Sequence, residues 1–199
     1  MQLNKGELPV NCHPWKVRKA RPDDIAGMLA LNYAIYPEDW HVGPEYVEQV
    51  MQRNPEVYNI LPAAGGIKGI FSIFPLTRDH YDQVLNGQLA EERLPECILA
   101  YDQPKSVCLY LISLIVDIHD PLRKQYARAV IEAIPQELRR LEQQGVVIDE
   151  IGAIAISADG NRILRRIGFS TSEAMESFDQ EFNVFRAAPG DIYRAIQTK

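Results

Sequence analysis

Hydroxyl-bearing and ionisable side chains follow one another closely from Tyr110 through Ser113 and Asp117 to His119. Histidine has an unperturbed pKa of about 6.5, so His119 could act as a general base at neutral pH. The alternative is a turn histidine with no catalytic duty. We therefore predict His119, Tyr110 and Ser113 as the candidate catalytic residues.

The elements that must position these side chains are a strand and the helix that follows it. Residues 107–118 are almost continuously apolar, as expected of a strand buried on both faces. Apolar residues then recur three or four positions apart from Ala127 to Leu141, which is typical of one helical face, and Gly145 follows where a helix commonly ends. A strand leading into a helix directs several unpaired backbone N–H groups at one point, so this junction could bind an anion.

Two motifs carry a resemblance to the GNAT acyltransferase superfamily. The run Lys124-Gln125-Tyr126-Ala127-Arg128-Ala129 resembles its Gln/Arg-x-x-Gly-x-Gly/Ala loop, with Lys124 at the Gln/Arg position, Ala127 at the first Gly and Ala129 at the Gly/Ala. A basic first turn of an ordinary helix is the alternative interpretation. Further along, Arg166-Ile167-Gly168-Phe169 is similar to the R-x-GF ending of the helix after the fifth strand in that family. The two motifs occur in the expected order and separation.

The resemblance implies an α/β fold of GNAT type, with a mixed, largely antiparallel central sheet and helices on both faces. We expect a single acyl-CoA N-acyltransferase-like domain over residues 1–199, with its core at about 15–187. The resemblance also implies acetyl-CoA as co-substrate and no metal. The residues implied in coenzyme binding are Ile115, Val116 and Asp117 for the pantetheine arm and acyl oxygen, Lys124, Gln125, Tyr126, Ala127, Arg128 and Ala129 for the pyrophosphate, and Ser157 and Asn161 on the later helix.

The function that follows from this resemblance is an acetyl-CoA-dependent N-acetyltransferase acting on a small-molecule or peptide amine. Two residues depart from the family pattern. Leu164 stands where the family often has a tyrosine that protonates the coenzyme thiolate, and Ala127 replaces a glycine. Both departures favour the alternative of a non-catalytic acyl-CoA-binding sensor or interaction protein on the same fold. A structural α/β partner protein, with an accidental loop match, is a third interpretation.

Two earlier segments could shape the acceptor site. The aromatic residues and histidine of the first helical region are candidates to line an acceptor pocket, or they pack the helices on the sheet: Tyr33, Tyr36, Trp40, His41 and Tyr46. The long segment 77–105 is acidic, which would suit a cationic acceptor, although a solvated surface explains the same charges: Asp79, Asp82, Glu91, Glu92 and Glu96.

Composition limits the other function classes. The chain has 199 residues and a net charge of −6, which argues against nucleic-acid or membrane-surface partners. Three cysteines without metal-ligand spacing favour a reducing, cytoplasmic setting, and a homodimer is compatible with this composition. No apolar run is long enough for a membrane helix.

Periodicity and turn residues predict the remaining elements. They are a strand at 15–20, a helix beginning at Pro22, a helix at 45–53, a hairpin of 57–61 with 69–74, a helix around 80–85, a strand at 146–156, a helix between Ser157 and Gly168, two strands within 170–186 with a turn near Asp179-Gln180, and a helix ending at Ile196. Gly152, Ala153 and Ala155 suggest a close approach of backbone or ligand in the strand at 146–156.

Overall fold

The structure is a computed structural model that describes residues 15–102, 106–177 and 180–197. In these residues the strands are β1 (Arg18–Lys19), β2 (Tyr58–Ala63), β3 (Gly66–Leu76), β4 (Ser106–Val116), β5 (Val147–Ala155), β6 (Ser170–Ser177) and β7 (Gln180–Ala187). Asp179 of the predicted turn near Asp179-Gln180 lies outside the described residues, and so does Cys12. Cys97 and Cys108 are buried free thiols.

Seven helices surround the strands in the described part of the chain. They are α1 (Ile25–Ile35), α2 (Pro44–Arg53), α3 (Arg78–Leu85), α4 (Leu94–Cys97), α5 (Arg123–Gln143), α6 (Ala158–Arg166) and α7 (Pro189–Gln197). Short 3-10 turns occupy Pro22–Asp24, Glu38–Trp40 and Glu91–Arg93. The predicted elements are therefore present, with boundaries that differ by a few residues.

The described strands form one sheet in the order β1-β2-β3-β4-β5-β7-β6. Strands β4 and β5 are parallel, and the other neighbours in the sheet are antiparallel. One buried cluster holds α1 to α4 against one face, and a second holds α5, α6 and α7 against the other. This confirms the predicted fold class of a mixed, largely antiparallel sheet with helices on both faces.

The hairpin of β2 and β3 is longer than its apolar runs predict. Strand β2 continues through Pro62 to Ala63, and the register between the two strands shifts between Leu61 and Pro62. Proline cannot donate a ladder hydrogen bond, so a strand tolerates it at such an irregularity. Because β2 ends at Ala63 and β3 begins at Gly66, the glycine-rich segment between them is a tight turn.

The helix before the Gly-Phe pair ends as predicted. Ser157 caps α6, because its hydroxyl accepts a hydrogen bond from the Gly160 N–H at 3.0 Å. Gly168 has φ +104°, and a Cβ there would lie 2.6 Å from the Asp191 carbonyl oxygen. Only glycine avoids both the strain and the clash, so this position fixes how α7 passes over the end of α6.

At Gly152, where a close approach of backbone or ligand was predicted, the neighbouring atoms are side chains of α3. A Cβ at Gly152 would lie 2.6 Å from Leu85 Cδ1 and 2.7 Å from the Tyr81 hydroxyl, so the space is filled by α3. Tyr81 donates a hydrogen bond to Glu150 at 2.9 Å, which ties α3 to β5. The close approach is real, and its cause is helix packing.

Candidate active site

Strands β4 and β5 pair along only part of their length. Their register begins at Ser106 opposite Val147 and ends at Tyr110 opposite Gly152. Beyond these residues β4 continues to Val116 while β5 pairs with β7. The backbone of β4 from Leu111 onward therefore has no β5 partner in the described structure. A gap between two parallel strands gives a ligand access to exposed backbone groups in the middle of the sheet.

An irregularity in β4 coincides with this divergence. Ser72 of β3 is opposite Ser113 and Ile73 is opposite Leu111, so Ile112 has no counterpart on β3. A bulge of this kind leaves one residue outside the ladder and turns its backbone groups away from the usual partner. The bulge therefore lies just beyond the last residue that pairs with β5.

A cavity of about 110 Å³, called here the inner cavity, lies between α1, α2 and the sheet. It adjoins the gap between β4 and β5. Its volume approaches the ~150 Å³ of an engineered apolar cavity that holds benzene. The polar and indole side chains that line it are Asn32, Tyr36, Trp40, Tyr46, Tyr58, Ser72, Glu91, Tyr110 and Ser113. The remaining lining residues are apolar, so a ligand would meet aromatic walls and a few polar groups.

Glu91 is the acid of the inner cavity. The Tyr110 hydroxyl donates a short hydrogen bond to Glu91 Oε1. Burial raises the pKa of the Glu91 carboxyl to about 7, although the Tyr110 hydrogen bond opposes the rise; the charge of Glu92 adds to it. Burial also raises the pKa of Tyr110, so its phenol stays protonated and keeps donating. A carboxyl that titrates near neutrality in a cleft is suited to proton transfer.

Aromatic side chains surround Glu91. The Tyr46 hydroxyl donates to the Glu91 carbonyl oxygen at 3.1 Å. Trp40 packs its ring edge-on against Phe182 of β7, with ring centroids 5.6 Å apart. Burial raises the pKa of Tyr36, against the opposing hydrogen bonds to Ser113 and the Leu114 N–H. The walls are thus fixed by contacts from α2, β4 and β7.

Two buried polar atoms of the inner cavity have no hydrogen-bond partner in the described structure. They are Asn32 Oδ1 and Ser72 Oγ. Ser72 is only 1% exposed. A buried polar atom without a partner costs free energy, so such atoms are rare unless a ligand or water satisfies them.

A second, larger concavity of about 630 Å³, called here the outer groove, adjoins the inner cavity. Trp40, Val42, Tyr46, Glu91 and Ile154 line both spaces. The groove runs between the Glu38–Trp40 turn, α2 and the segment that follows α3. Glu91 therefore lies at the junction of an exposed groove and an inner cavity.

The structure brings only some of the predicted catalytic residues together. Tyr110 and Ser113 line the inner cavity, as does Ile115 from the predicted pantetheine set. His119 is exposed in the turn after β4 and lines neither cavity, while its backbone N–H donates to Asp117 Oδ1 at 3.0 Å.

Val116 and Asp117, which were also predicted to bind the coenzyme, line neither the inner cavity nor the outer groove. Val116 packs against the α5 side of the sheet. Asp117 and Asp120 both form ion pairs with Lys68 Nζ, at 2.8 and 3.1 Å. The Lys68 hydrogen bond lowers the pKa of Asp117, so this carboxylate is ionised. These contacts hold the turn between β4 and α5 against the end of β3.

The predicted phosphate loop is helical. Helix α5 begins at Arg123, and the N–H groups of Gln125 and Tyr126 both donate to the Leu122 carbonyl. Tyr126 and Ala129 are buried, at 3% and 8% exposure. The remaining positions lie on the outer side of the helix: Lys124, Gln125 and Arg128 are exposed and Ala127 is half-buried. A phosphate here would meet the first helical turn and its basic side chains.

The residues predicted on α6 make contacts within the protein. Asn161 donates to the Ser157 carbonyl at 2.9 Å and accepts from Asn183 at 2.8 Å, which ties α6 to β7. Leu164 is 5% exposed and packs in the apolar cluster beneath α5 and α6. A residue in that position has no access to the inner cavity, so Leu164 is a core residue.

The predicted acceptor residues divide into two groups. Tyr36, Trp40 and Tyr46 line the inner cavity, and His41 lines the outer groove. Tyr33 is 42% exposed and donates to the Val42 carbonyl at 2.7 Å, so it holds the loop that carries His41. The aromatic residues of the first helical region thus both pack and line the site.

The sequence placed Glu91 in a group of five acids that would suit a cationic acceptor or a solvated surface, and did not single it out. The signal that could have distinguished it is local: Glu91 follows Leu89-Ala90 and precedes the buried Leu94-Pro95, within an otherwise polar segment. An acid flanked by apolar residues is a candidate for burial, although its partner Tyr110 is 19 residues away.

Metal sites and membrane-spanning helices are both absent from the described residues. They contain no group of three or more histidine, cysteine, aspartate or glutamate side chains that could hold a metal ion. None of their helices is long and apolar enough to cross a membrane.

Several solved structures are similar to this chain over most of its length. The loading GNATL domain of CurA from Lyngbya majuscula has a TM-score of 0.64 and 12% identity, covering 93% of this chain and 99% of that chain. A chain of the NatC complex bound to Gag peptide and CoA has a TM-score of 0.60 and 11% identity, covering 87% and 97%. The chain has the GNAT fold.

The GNAT fold also occurs in the GphF GNAT-like decarboxylase in complex with isobutyryl-CoA, which has a TM-score of 0.57 and 15% identity and covers 87% of this chain and 99% of that one. No model of a protein family matches the sequence, and no curated protein matches it. At these identities the similarity establishes the fold, so the activity has to be argued from the site.

Proposed function

We propose that this protein transfers an acyl group, acetyl in the simplest case, from acyl-CoA to an amine bound in the inner cavity. The observation that carries the proposal is the carboxyl of Glu91, with a pKa of about 7, beside the gap between β4 and β5. The GNAT fold and the CoA-bound neighbours support acyl-CoA as the donor. Several aromatic walls and a single acid suit a small amine.

Acyl-CoA supplies the acyl group as a thioester. The free edge of β4 around the Ile112 bulge offers backbone N–H groups to the acyl oxygen, where negative charge develops as the amine attacks. Glu91 accepts a proton from the attacking amine, and the Tyr110 hydrogen bond holds the carboxylate in position before the transfer. A carbon–nitrogen bond forms and the carbon–sulfur bond breaks.

The proton balance closes through solvent. Leu164 has no proton to donate, so the leaving thiolate takes a proton from water and becomes the free thiol. Glu91 returns the proton that it took from the amine to solvent through the outer groove, which it also lines. The products are an amide and CoA.

The start of α5 is the proposed site for the coenzyme pyrophosphate. Arg123 and Lys124 are exposed in the first turn of the helix. The positive end of the helix dipole and these two cations would favour an anion here. The nearby Asp120 opposes anion binding, because its carboxylate is negatively charged. It also already accepts the hydrogen bond of the Leu122 N–H, at 2.8 Å.

The test separates coenzyme binding from turnover. Calorimetry with CoA and thiol release from acetyl-CoA with a panel of small amines are measured on the full chain and on Glu91→Gln. We expect unchanged CoA affinity and a loss of turnover of about 100-fold or more, the usual contribution of a general base. Wild-type turnover should rise with pH through about 7, because the ionised carboxylate is the active form.

Glu96→Gln is the matched control, since Glu96 is exposed and pairs with Arg93 on the surface. Its rate and pH profile should match those of the wild type. CoA binding without turnover of any amine would favour the sensor interpretation. Absence of CoA binding would remove both coenzyme-dependent functions.

A further inference from the structure

The outer groove is acidic. The exposed carboxylates of Asp39, Glu45 and Glu92 line it together with Glu91, and no lysine or arginine is among its described lining residues. No salt bridge between described residues involves Asp39, Glu45 or Glu92. Three negative charges thus face one open space without a compensating cation.

The inner end of the same space contains unsatisfied polar groups. Ser72 Oγ and Asn32 Oδ1 line the inner cavity, are buried and have no partner in the described structure. Each can accept a hydrogen bond, and the serine hydroxyl can also donate. A ligand with N–H donors would satisfy these atoms, whereas a purely apolar ligand would leave them unpaired.

We infer that the acceptor is a linear polyamine, whose reacting nitrogen enters the inner cavity while its further ammonium groups lie in the outer groove. This inference rests on the proposed function and narrows its substrate class. The inner cavity, at about 110 Å³, admits only one end of such a chain, and the groove of about 630 Å³ receives the rest. The two spaces share Glu91 at their junction, so an amine that enters the cavity reaches the base.

Charge explains why additional ammonium groups should strengthen binding. The carboxylates of Asp39, Glu45 and Glu92 are exposed, so each pairing with an ammonium is weak and is screened by salt. Several such pairings on one flexible chain add to one another as long as the charges can reach the groove together. We expect affinity to rise by about three- to fivefold for each added charge at low salt.

The experiment measures binding directly, so it does not depend on turnover. Calorimetry on the CoA-saturated protein compares butylamine, 1,4-diaminobutane and N-(3-aminopropyl)-1,4-diaminobutane, which carry one, two and three charges. Affinity should rise in that order for the wild type. In the triple variant Asp39→Asn/Glu45→Gln/Glu92→Gln the three amines should bind alike, with butylamine affinity close to the wild-type value.

The control variant Glu48→Gln/Asp79→Asn/Glu96→Gln removes the same charge from exposed positions outside the groove lining. It should keep the wild-type order of affinities. Equal affinities for the three amines in the wild type, or the same loss in both triple variants, would overturn the inference. A short lysine-rich peptide that bound more tightly than the triamine would also overturn it in favour of a peptide acceptor.

Failure of the proposed function has a different signature. If Glu91→Gln and the wild type release thiol equally slowly with every amine, the catalytic proposal fails, whatever the order of affinities. If thiol is released from acetyl-CoA but butylamine and the triamine react with equal kcat/KM and bind equally, the polyamine inference alone fails.

Discussion

Glu91 and Glu92 are adjacent residues in different surroundings. Both belong to the 3-10 turn Glu91–Arg93, in which successive side chains point in different directions. Glu92 is exposed on the groove, whereas the Glu91 carboxyl turns inward to Tyr110. The Tyr36, Tyr46 and Tyr110 phenols and the Glu92 carboxylate are the titratable groups around it. The chemical difference between two identical side chains therefore comes from their orientation.

The raised pKa of Glu91 predicts a pH-dependent stability. The folded protein holds the Glu91 proton up to about pH 7, whereas the ordinary carboxyl value is 4.5, so the folded state binds more protons in that window. Stability contributed by this group consequently falls as pH rises from about 4.5 to about 7, by about 3 kcal/mol in all. Glu91→Gln has no charge to bury, so it should gain stability over the wild type by about that amount between pH 4.5 and pH 8.

Urea unfolding at the two pH values measures this difference. Glu48→Gln serves as the control, since its side chain is exposed and Glu48 is not among the groups that raise the pKa of Glu91, and its stability relative to the wild type should not change with pH. A constant difference between Glu91→Gln and the wild type across this range would show that the carboxyl is not buried in its neutral form.

At the scale of the elements, the start of α5 is the proposed site of the coenzyme pyrophosphate. Its amides are largely engaged within the chain: Leu122 donates to the Asp120 carboxylate, Arg123 to the Asp120 carbonyl, and Gln125 to the Leu122 carbonyl. The free attraction for an anion therefore comes from the helix dipole and from Arg123 and Lys124. The Asp120 carboxylate competes with it, although its ion pair with Lys68 offsets part of its charge.

Two substitutions at this helix start should move CoA affinity in opposite directions. Asp120→Asn keeps a side-chain oxygen for the Leu122 N–H but removes the negative charge, so CoA should bind about threefold more tightly at low salt. Lys124→Ala should weaken CoA by a similar factor. Both effects should shrink as salt rises, because Lys124 is exposed and Asp120 is in partial contact with solvent. Calorimetry with pantetheine, which lacks the pyrophosphate, should show neither effect; equal changes for pantetheine would place the phosphates elsewhere.

At the scale of the whole molecule, a partly buried ionic network joins the first strand to the central helix. Lys19 Nζ lies 2.6 Å from Glu137 Oε1, and Glu137 also pairs with Arg140 at 2.8 Å. Arg140 reaches Glu56 before β2 at 2.5 Å. Burial lowers the pKa of Lys19 despite the opposing attraction of Glu137. Glu137 is 8% exposed, so it compensates two cations at a site with little water.

Removing Glu137 should therefore destabilise the fold strongly. Glu137→Ala leaves the Lys19 ammonium partly buried without its carboxylate, and the expected loss is about 3 kcal/mol in the free energy of unfolding. Lys19→Met/Glu137→Leu removes both charges and fills the space, so it should lose less than the single variant. Chemical denaturation of the two variants measures the difference. A double variant less stable than Glu137→Ala would show that the ion pair is a net source of stability.

The sequence by itself determined the order and type of the elements, because these depend on local patterns. Apolar runs and three- or four-residue spacings located β4, α5 and α6, and the Gly168-Phe169 ending was recognised from the chain alone. Helix α5 begins at Arg123, directly after the turn at residues 117–122, in which Asp120 accepts a hydrogen bond from the Leu122 N–H, a contact that apolar periodicity does not report.

Only the tertiary structure decided which ionisable group lies in the inner cavity. His119 is conspicuous in sequence, yet it lies on an exposed turn, whereas Glu91 resembles its acidic neighbours and becomes an acid with a pKa of about 7. Its partners Tyr110 and Tyr46 are 19 and 45 residues away. A pKa depends on burial and on nearby charges and hydrogen bonds in space. Those surroundings exist only when β4, α2 and the segment after α3 meet, so no local pattern could encode them.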